Sequence, residues 1–262
     1  VIAHASPDDP RVVVYRRVGD AGWLNSRGLF VAEGRLLLER LVASGAYRIT
    51  SVLVTPAAAA ALAATLSRVD ADVLVVDLTV MRDLTGFNFH RGCLALAERP
   101  APRTVADLPA AGCVLGLEGV GNPDNVGGLF RTAAAFGVAS VLADPSTGDP
   151  FYRKALRTSM GAVLALPFVR AEDWTGTLRR LKGDGWRLIA LTPAPDAAPL
   201  AAAAAALVPH QRRLLLVGSE GAGLTAETLA SADVRVRIPI SGAVDSLNVT
   251  VAAGIALARL AG

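Results

Sequence analysis

Leu214-Leu-Leu-Val-Gly-Ser-Glu-Gly-Ala-Gly-Leu224 opens on four apolar residues and then carries three glycines, Gly218, Gly221 and Gly223. A short unbroken apolar run bounded by turn-formers reads as a strand buried on both faces. Glycines directly behind it let backbone N–H and C=O groups approach a ligand closely. Glu220 stands among them, either as an exposed turn residue or as a carboxylate facing a cation or a hydroxyl. Ligands of open parallel α/β sheets bind at loops of this kind, outside the C-terminal ends of the strands.

The same strand-then-loop pattern recurs on both sides of this stretch. Val114–Leu117 is an apolar run leading into Gly119-Val-Gly-Asn-Pro-Asp-Asn-Val-Gly-Gly-Leu-Phe-Arg131, with a helix predicted over Val126–Phe136. Asp124 or Asn125 suits its N-cap, and Arg131 follows about two turns in. The loop fits neither the G-x-G-x-x-G fingerprint followed by an acid nor the P-loop with Gly-Lys-Ser/Thr. By itself it is a glycine-tolerant turn or an anion-binding loop. Residues 238–256 read IPISGAVDSLNVTVAAGIA, a strand passing through a loop into a helix of small and β-branched residues. Asp245 or Ser246 suits that N-cap, which puts Asn248 in the first turn, facing the loop. Ala252, Ala253, Gly254 and Ala256 permit close backbone packing, against the chain's own core or against a second copy. Further strands are predicted at Ser140–Leu142, Leu188–Leu191 and Val234–Ile240, and helices at Leu178–Lys182 and Leu247–Leu260. Strands alternating with helices make a mostly parallel sheet.

The stretch Glu98–Pro109 holds three prolines and little periodicity, which marks a linker. It divides the 262 residues into domains at 1–105 and 106–262. The first is a smaller α/β unit. Its strands are predicted at Leu29–Ala32, Ile49–Val54, Val73–Val76 and Cys93–Ala97. Helices are expected at Glu33–Ser44, ending on Gly45, and at Ala57–Leu66 behind Pro56. Arg11–Leu24, with Arg11, Arg16, Arg17 and then Arg27, is the densest basic stretch of this half. Tyr15 and Trp23 are interleaved there, so it is an RNA-contacting surface or a solvated helix face.

Composition limits the function classes. Hydrophobic residues make up 52% and charged residues 19%, too apolar for disorder. Net charge is only +3, so any nucleic-acid surface is a local patch rather than a basic arm. No apolar run has the length of a membrane span, and no basic start followed by an apolar run suggests a leader. Cys93 and Cys113 form no disulfide framework and fit a reducing, cytoplasmic setting. His4, His90 and His210 are scattered, so no metal site is expected.

Taken together, three segments resemble the motifs of the SpoU/TrmH family of RNA methyltransferases, in the SPOUT superfamily. They are Asn125-Val-Gly-Gly-Leu-Phe-Arg131-Thr-Ala, Gly218-Ser-Glu220-Gly-Ala-Gly-Leu, and Ile238-Pro-Ile-Ser-Gly with Ser246-Leu-Asn248-Val-Thr-Val-Ala. Arg153-Lys-Ala-Leu-Arg157-Thr-Ser-Met-Gly-Ala162 resembles a segment of the longer members. Residues 27–97, through Phe30-Val-Ala-Glu33-Gly34 and Ser44-Gly45, resemble the family's N-terminal RNA-binding module, whose fold is that of a small ribosomal protein. Ile240 stands where methionine is common, and Thr250 where serine is common.

The resemblance implies a C-terminal trefoil-knotted α/β domain, a threading otherwise nearly absent from proteins. It also implies S-adenosylmethionine as methyl donor, a homodimer with the site at its interface, and methylation of a ribose 2′-hydroxyl of ribosomal or transfer RNA. Carried over residue by residue, Thr192, Val217, Gly218, Gly221, Ile238, Ile240 and Leu247 would hold the donor. Asn125, Arg131, Glu220, Ser246 and Asn248 would form the catalytic set. The family often assigns the position of Arg131 as a base. A guanidinium holds its proton so strongly that gripping a phosphate and stabilising the developing oxyanion suits it better. Base methylation of tRNA, or a non-catalytic role in ribosome assembly, are the alternatives.

Overall fold

The structure, a computed structural model, describes residues 2–86, 92–206 and 212–260. It forms two compact units, Val1–Ala101 with Phe151–Leu164, and Pro102–Pro150 with Ala165–Gly262. The division after Ala101 falls near the expected linker. Residues 151–164, read as part of the C-terminal domain, belong instead to the first unit.

The first unit is a five-stranded sheet, β1 (Ile2–His4), β2 (Leu29–Glu33), β3 (Ile49–Val54), β4 (Asp72–Val75) and β5 (Cys93–Glu98). Its order is β1-β4-β3-β5-β2, with β1, β4 and β3 parallel and β5 antiparallel to both neighbours. The helix Arg35–Ser44 ends on Gly45 at φ 60°, a left-handed stop that glycine adopts without strain. The helix expected over Ala57–Leu66 is two pieces, Pro56–Ala61 and Ala63–Leu66, parted at the buried Leu62. Tyr15 is not an RNA-facing aromatic. It is wholly buried, with its hydroxyl 2.8 Å from Ser51 Oγ. Trp23 is half-buried against the same core, with the guanidinium groups of Arg17 and Arg27 at 5.6 and 4.5 Å from its ring. His4 is exposed on β1, while His90 and His210 lie outside the described residues.

The returning segment is held by one buried carboxylate and a small aromatic cluster. Glu33, at the end of β2, accepts from Arg153 Nη1 at 2.6 Å and lies 3.7 Å from Arg157 Nη1. Phe151 packs against Phe30 at 4.8 Å between ring centres, and Tyr47 donates to Leu164 O at 3.2 Å. The two motif pieces, Phe30–Gly34 and Arg153–Ala162, thus meet in one cluster although about 120 residues separate them in the chain.

The second unit is a seven-stranded, wholly parallel sheet, β6 (Cys113–Glu118), β7 (Ser140–Ala143), β8 (Phe168–Arg170), β9 (Arg187–Leu191), β10 (Ala198–Pro199), β11 (Arg213–Gly218) and β12 (Val234–Arg237). The order is β10-β12-β9-β11-β6-β7-β8. Leu214 to Val217 of β11 are all buried, as a strand covered on both faces requires. Leu214 and Leu216 join Trp174, Leu178 and Leu181 on one face. On the other, the helices Pro123–Ala135 and Val249–Leu260 pack together, the second of them against β11. Their close approach needs glycine at position 128, where a Cβ would stand 2.8 Å from Thr250 Oγ1; a Cβ on Gly254 would meet Thr132 Cγ2 at 3.4 Å, an ordinary contact. Among the described residues, no helix is long and apolar enough to cross a membrane.

Beyond β7, Asp144 gathers the adjoining loops. Its carboxylate accepts from Gly119 N at 3.0 Å, Thr147 N at 2.8 Å and the hydroxyls of Ser146 and Thr147 at 2.5 and 2.6 Å. Burial alone would raise its pKa; those hydrogen bonds outweigh burial and hold it below the ordinary 3.8.

Three outcomes are expected. Arg153→Leu strips the buried Glu33 of its nearest partner and lowers stability by about 2–4 kcal/mol in urea denaturation. Arg157→Leu, with its longer and more exposed contact, costs about 1 kcal/mol or less. Asp144→Asn is less stable than the parent at pH 7. Because the folded-state pKa of Asp144 is depressed, the gap closes as pH falls below about 4 and through that folded value.

Candidate functional site

A cavity of about 450 Å³ opens at the C-terminal ends of three adjacent parallel strands, β12, β9 and β11. Small-molecule sites commonly measure ~300–1,000 Å³. Its walls come from Leu191–Pro193 after β9, from the loop after β11, and from the long segment between β12 and the closing helix. Leu191, Val217, Ile238 and Leu247 supply apolar surface. Glu220, Asp245, Ser246 and Asn248 supply polar groups at the same opening.

The loop after β11 is folded tightly on its own base. Gly223 N donates to Ser219 O at 3.1 Å. A Cβ on Gly218 would stand 2.1 Å from Gly223 C and 2.3 Å from Leu224 N, so no side chain fits there. At Gly221, by contrast, nothing lies within 4 Å of a Cβ position, and that residue borders the cavity. The turn therefore presents main chain rather than side chains.

Two asparagines tie the loops together. Asn125, buried on the helix Pro123–Ala135, donates from Nδ2 to Glu220 Oε1. It accepts at Oδ1 from Asn248 Nδ2 at 3.0 Å, and Asn248 Oδ1 accepts from Thr250 N at 2.9 Å. A carboxylate at one end only accepts, and a backbone N–H at the other only donates. Both amides are therefore fixed in orientation. Glu220 and Asn248 border the cavity; Asn125 reaches it through them.

All seven residues expected to hold a cofactor, Thr192, Val217, Gly218, Gly221, Ile238, Ile240 and Leu247, line this cavity. Of the expected catalytic set, Glu220, Ser246 and Asn248 line it as well. Arg131 does not: it is exposed on its helix, three residues beyond Gly128. The caps differ from expectation. Asn122 caps the first helix, its Oδ1 accepting from Asp124 N at 2.9 Å, with Pro123 at the first helical position. This frees Asn125 to point inward. Asn248, not Asp245 or Ser246, caps the closing helix, which starts at Val249. The strand expected through Ile240 stops at Arg237, because the chain leaves the ladder there to wall the cavity.

A glycine-walled, partly apolar cavity at parallel strand ends, with a fixed carboxylate–amide chain at its opening, defines a small-molecule-binding α/β enzyme. The SpoU rRNA Methylase family model matches residues 112–258. An uncharacterized tRNA/rRNA methyltransferase of Mycobacterium bovis is 42% identical over 257 residues, covering 95% of this chain and 88% of that protein. A Bacillus subtilis 23S rRNA (guanosine(2553)-2′-O)-methyltransferase is 32% identical over 64% of this chain and 68% of its own. An AdoMet-bound rRNA methyltransferase from Sinorhizobium meliloti superposes with a TM-score of 0.83 at 26% identity, covering 98% and 97% of the two chains.

The chain belongs to the SpoU rRNA methylase family. It is an S-adenosylmethionine-dependent methyltransferase acting on tRNA or rRNA. The cavity suits that donor chemically, offering apolar surface for a base, exposed main chain at Gly218–Gly221, and the carboxylates Glu220 and Asp245 toward a cationic molecule.

Gly218→Ala forces the loop off its base. Calorimetry is expected to show S-adenosylmethionine binding weakened at least about tenfold, and an unchanged Kd would contradict the assignment of the cavity.

Proposed function

We propose that the chain methylates a ribose 2′-hydroxyl of ribosomal RNA, working in the cytoplasm as a homodimer. In this reading S-adenosylmethionine lies in the cavity against Thr192, Val217, Gly218, Gly221, Ile238, Ile240 and Leu247. The observation that carries it is the chain Glu220–Asn125–Asn248 at the cavity mouth. It supplies fixed acceptors and donors suited to an oxygen nucleophile rather than a pocket shaped around a base edge. The 2′-O specificity of the Bacillus subtilis relative supports the same reading.

Bound S-adenosylmethionine supplies an electrophilic methyl group. The protein's task is to align the hydroxyl oxygen and to stabilise the charge that grows on it. Asn125 holds one oxygen of Glu220, which leaves Oε2 to take the ribose hydroxyl's proton as that oxygen bonds to the methyl carbon and the methyl–sulfur bond breaks. Ser246 and Asn248 position the sugar and the donor at the same mouth. Arg131 grips the neighbouring phosphate bidentately and stabilises the developing oxyanion. Being exposed and outside its own chain's cavity, it serves the site of a second copy. The reason for proposing a dimer is the resemblance to the SpoU/TrmH family, whose site lies at a subunit interface. The N-terminal unit holds the RNA, with the exposed Arg17 and Arg27 over the half-buried ring of Trp23 as a basic–aromatic group.

Labelled methyl transfer to RNA from cells lacking the enzyme, followed by digestion to nucleosides, is expected to yield a 2′-O-methyl nucleoside; a base-methylated product would overturn the reading. Arg131→Ala is expected to lower transfer by about 10²–10³-fold with donor binding preserved. Light scattering should give near twice the 27.0 kDa chain mass.

A further inference from the structure

The carboxylate of Glu118 lies outside the cavity, yet both ends of the loop after β11 converge on it. Glu118 is the last residue of β6 and only 7% exposed. In the parallel ladder it stands opposite Gly218, where the loop begins. Its side chain then reaches the residue where the loop ends. Oε2 accepts from Thr225 N at 3.0 Å, and Oε1 from the hydroxyls of Thr225 and Thr228 at 2.9 and 2.8 Å. Thr228 Oγ1 accepts in turn from Trp174 Nε1 at 3.0 Å, which fixes the hydroxyl's proton toward Glu118. The six residues in between, Ser219–Leu224, include Glu220, Gly221 and Gly223 of the cavity wall. Within the turn the Gly223 N–Ser219 O bond closes the loop and Asn125 holds Glu220, but neither fixes the exit at Leu224–Thr225, and the glycines impose few conformational limits of their own.

We infer that Glu118 is the positioning residue for S-adenosylmethionine binding: it clamps Thr225 and so fixes the Gly218–Leu224 turn in its ligand-ready shape. The inference rests on the assignment of the donor to this cavity. A carboxylate is required, since three donors converge on two oxygens and one of them is a main-chain N–H. Glutamine keeps the shape and one acceptor, but turns an N–H donor toward the others.

The test is Glu118→Gln in the full chain, compared with two controls. Leu247→Trp fills the cavity from a wall that Glu118 does not touch. Trp174→Phe removes the outer hydrogen bond of the same cluster and leaves the clamp on Thr225 intact. At a temperature where circular dichroism shows every variant folded, Glu118→Gln is expected to weaken S-adenosylmethionine binding at least about tenfold in calorimetry. KM for the donor should rise in step with Kd. Trp174→Phe should lower Tm and leave Kd unchanged, which a merely structural role for the cluster would not separate. Wild-type Kd in Glu118→Gln, with binding lost in Leu247→Trp, overturns the role of Glu118. Wild-type Kd in both overturns the cavity assignment instead. Should Glu118→Gln fail to fold, Thr225→Ala removes one of the clamped donors and is read the same way.

Discussion

Asn125 donates to Glu220 and accepts from Asn248, so one buried side chain holds residues 95 and 123 positions away at a single point. Glu220 follows a strand, Asn248 starts a helix, and Asn125 lies in the first turns of another helix. Each belongs to a different segment of the parallel-sheet unit. The buried amide of Asn125 must have partners, and Glu220 and Asn248 supply them. If either segment is out of place, that buried amide is left with an unpaired group.

The sheet beneath makes this possible. Parallel strands deliver their C-terminal ends to one edge, and β12, β9 and β11 lie side by side with their following loops on that edge. The helices Pro123–Ala135 and Val249–Leu260 approach closely where Gly128 faces Thr250. That approach brings Asn125 and Asn248, on separate helices, within hydrogen-bond distance. Small residues in these helices thus set the geometry of the polar chain as well as the packing.

Much of this was legible in the sequence, and for physical reasons. Leu214–Val217 and Val114–Leu117 carry the unbroken apolar signature of strands buried on both faces, and both are such strands. The glycines after β11 announced a main-chain surface. What failed were choices between similar local signals. Asn122, Asp124 and Asn125 all suit an N-cap, and Pro123, which favours the first helical position, was the cue that decides for Asn122. Likewise Asp245, Ser246 and Asn248 compete for one cap, and tertiary contact with Asn125 selects the last.

Other features have no local signature at all. Tyr15 sits among arginines and looks exposed, but its partner Ser51 comes from a strand 36 residues away. The return of residues 151–164 to the first unit depends on Glu33, a lone acid at a strand end. Nothing near Arg153 in sequence points to it. The central claim is that three separate loops form one site for S-adenosylmethionine. Hydrogen exchange of the full chain with and without the donor tests it most directly. Protection is predicted in residues 191–193, 217–223 and 238–249 together; protection of only one of these segments, or of none, would contradict it.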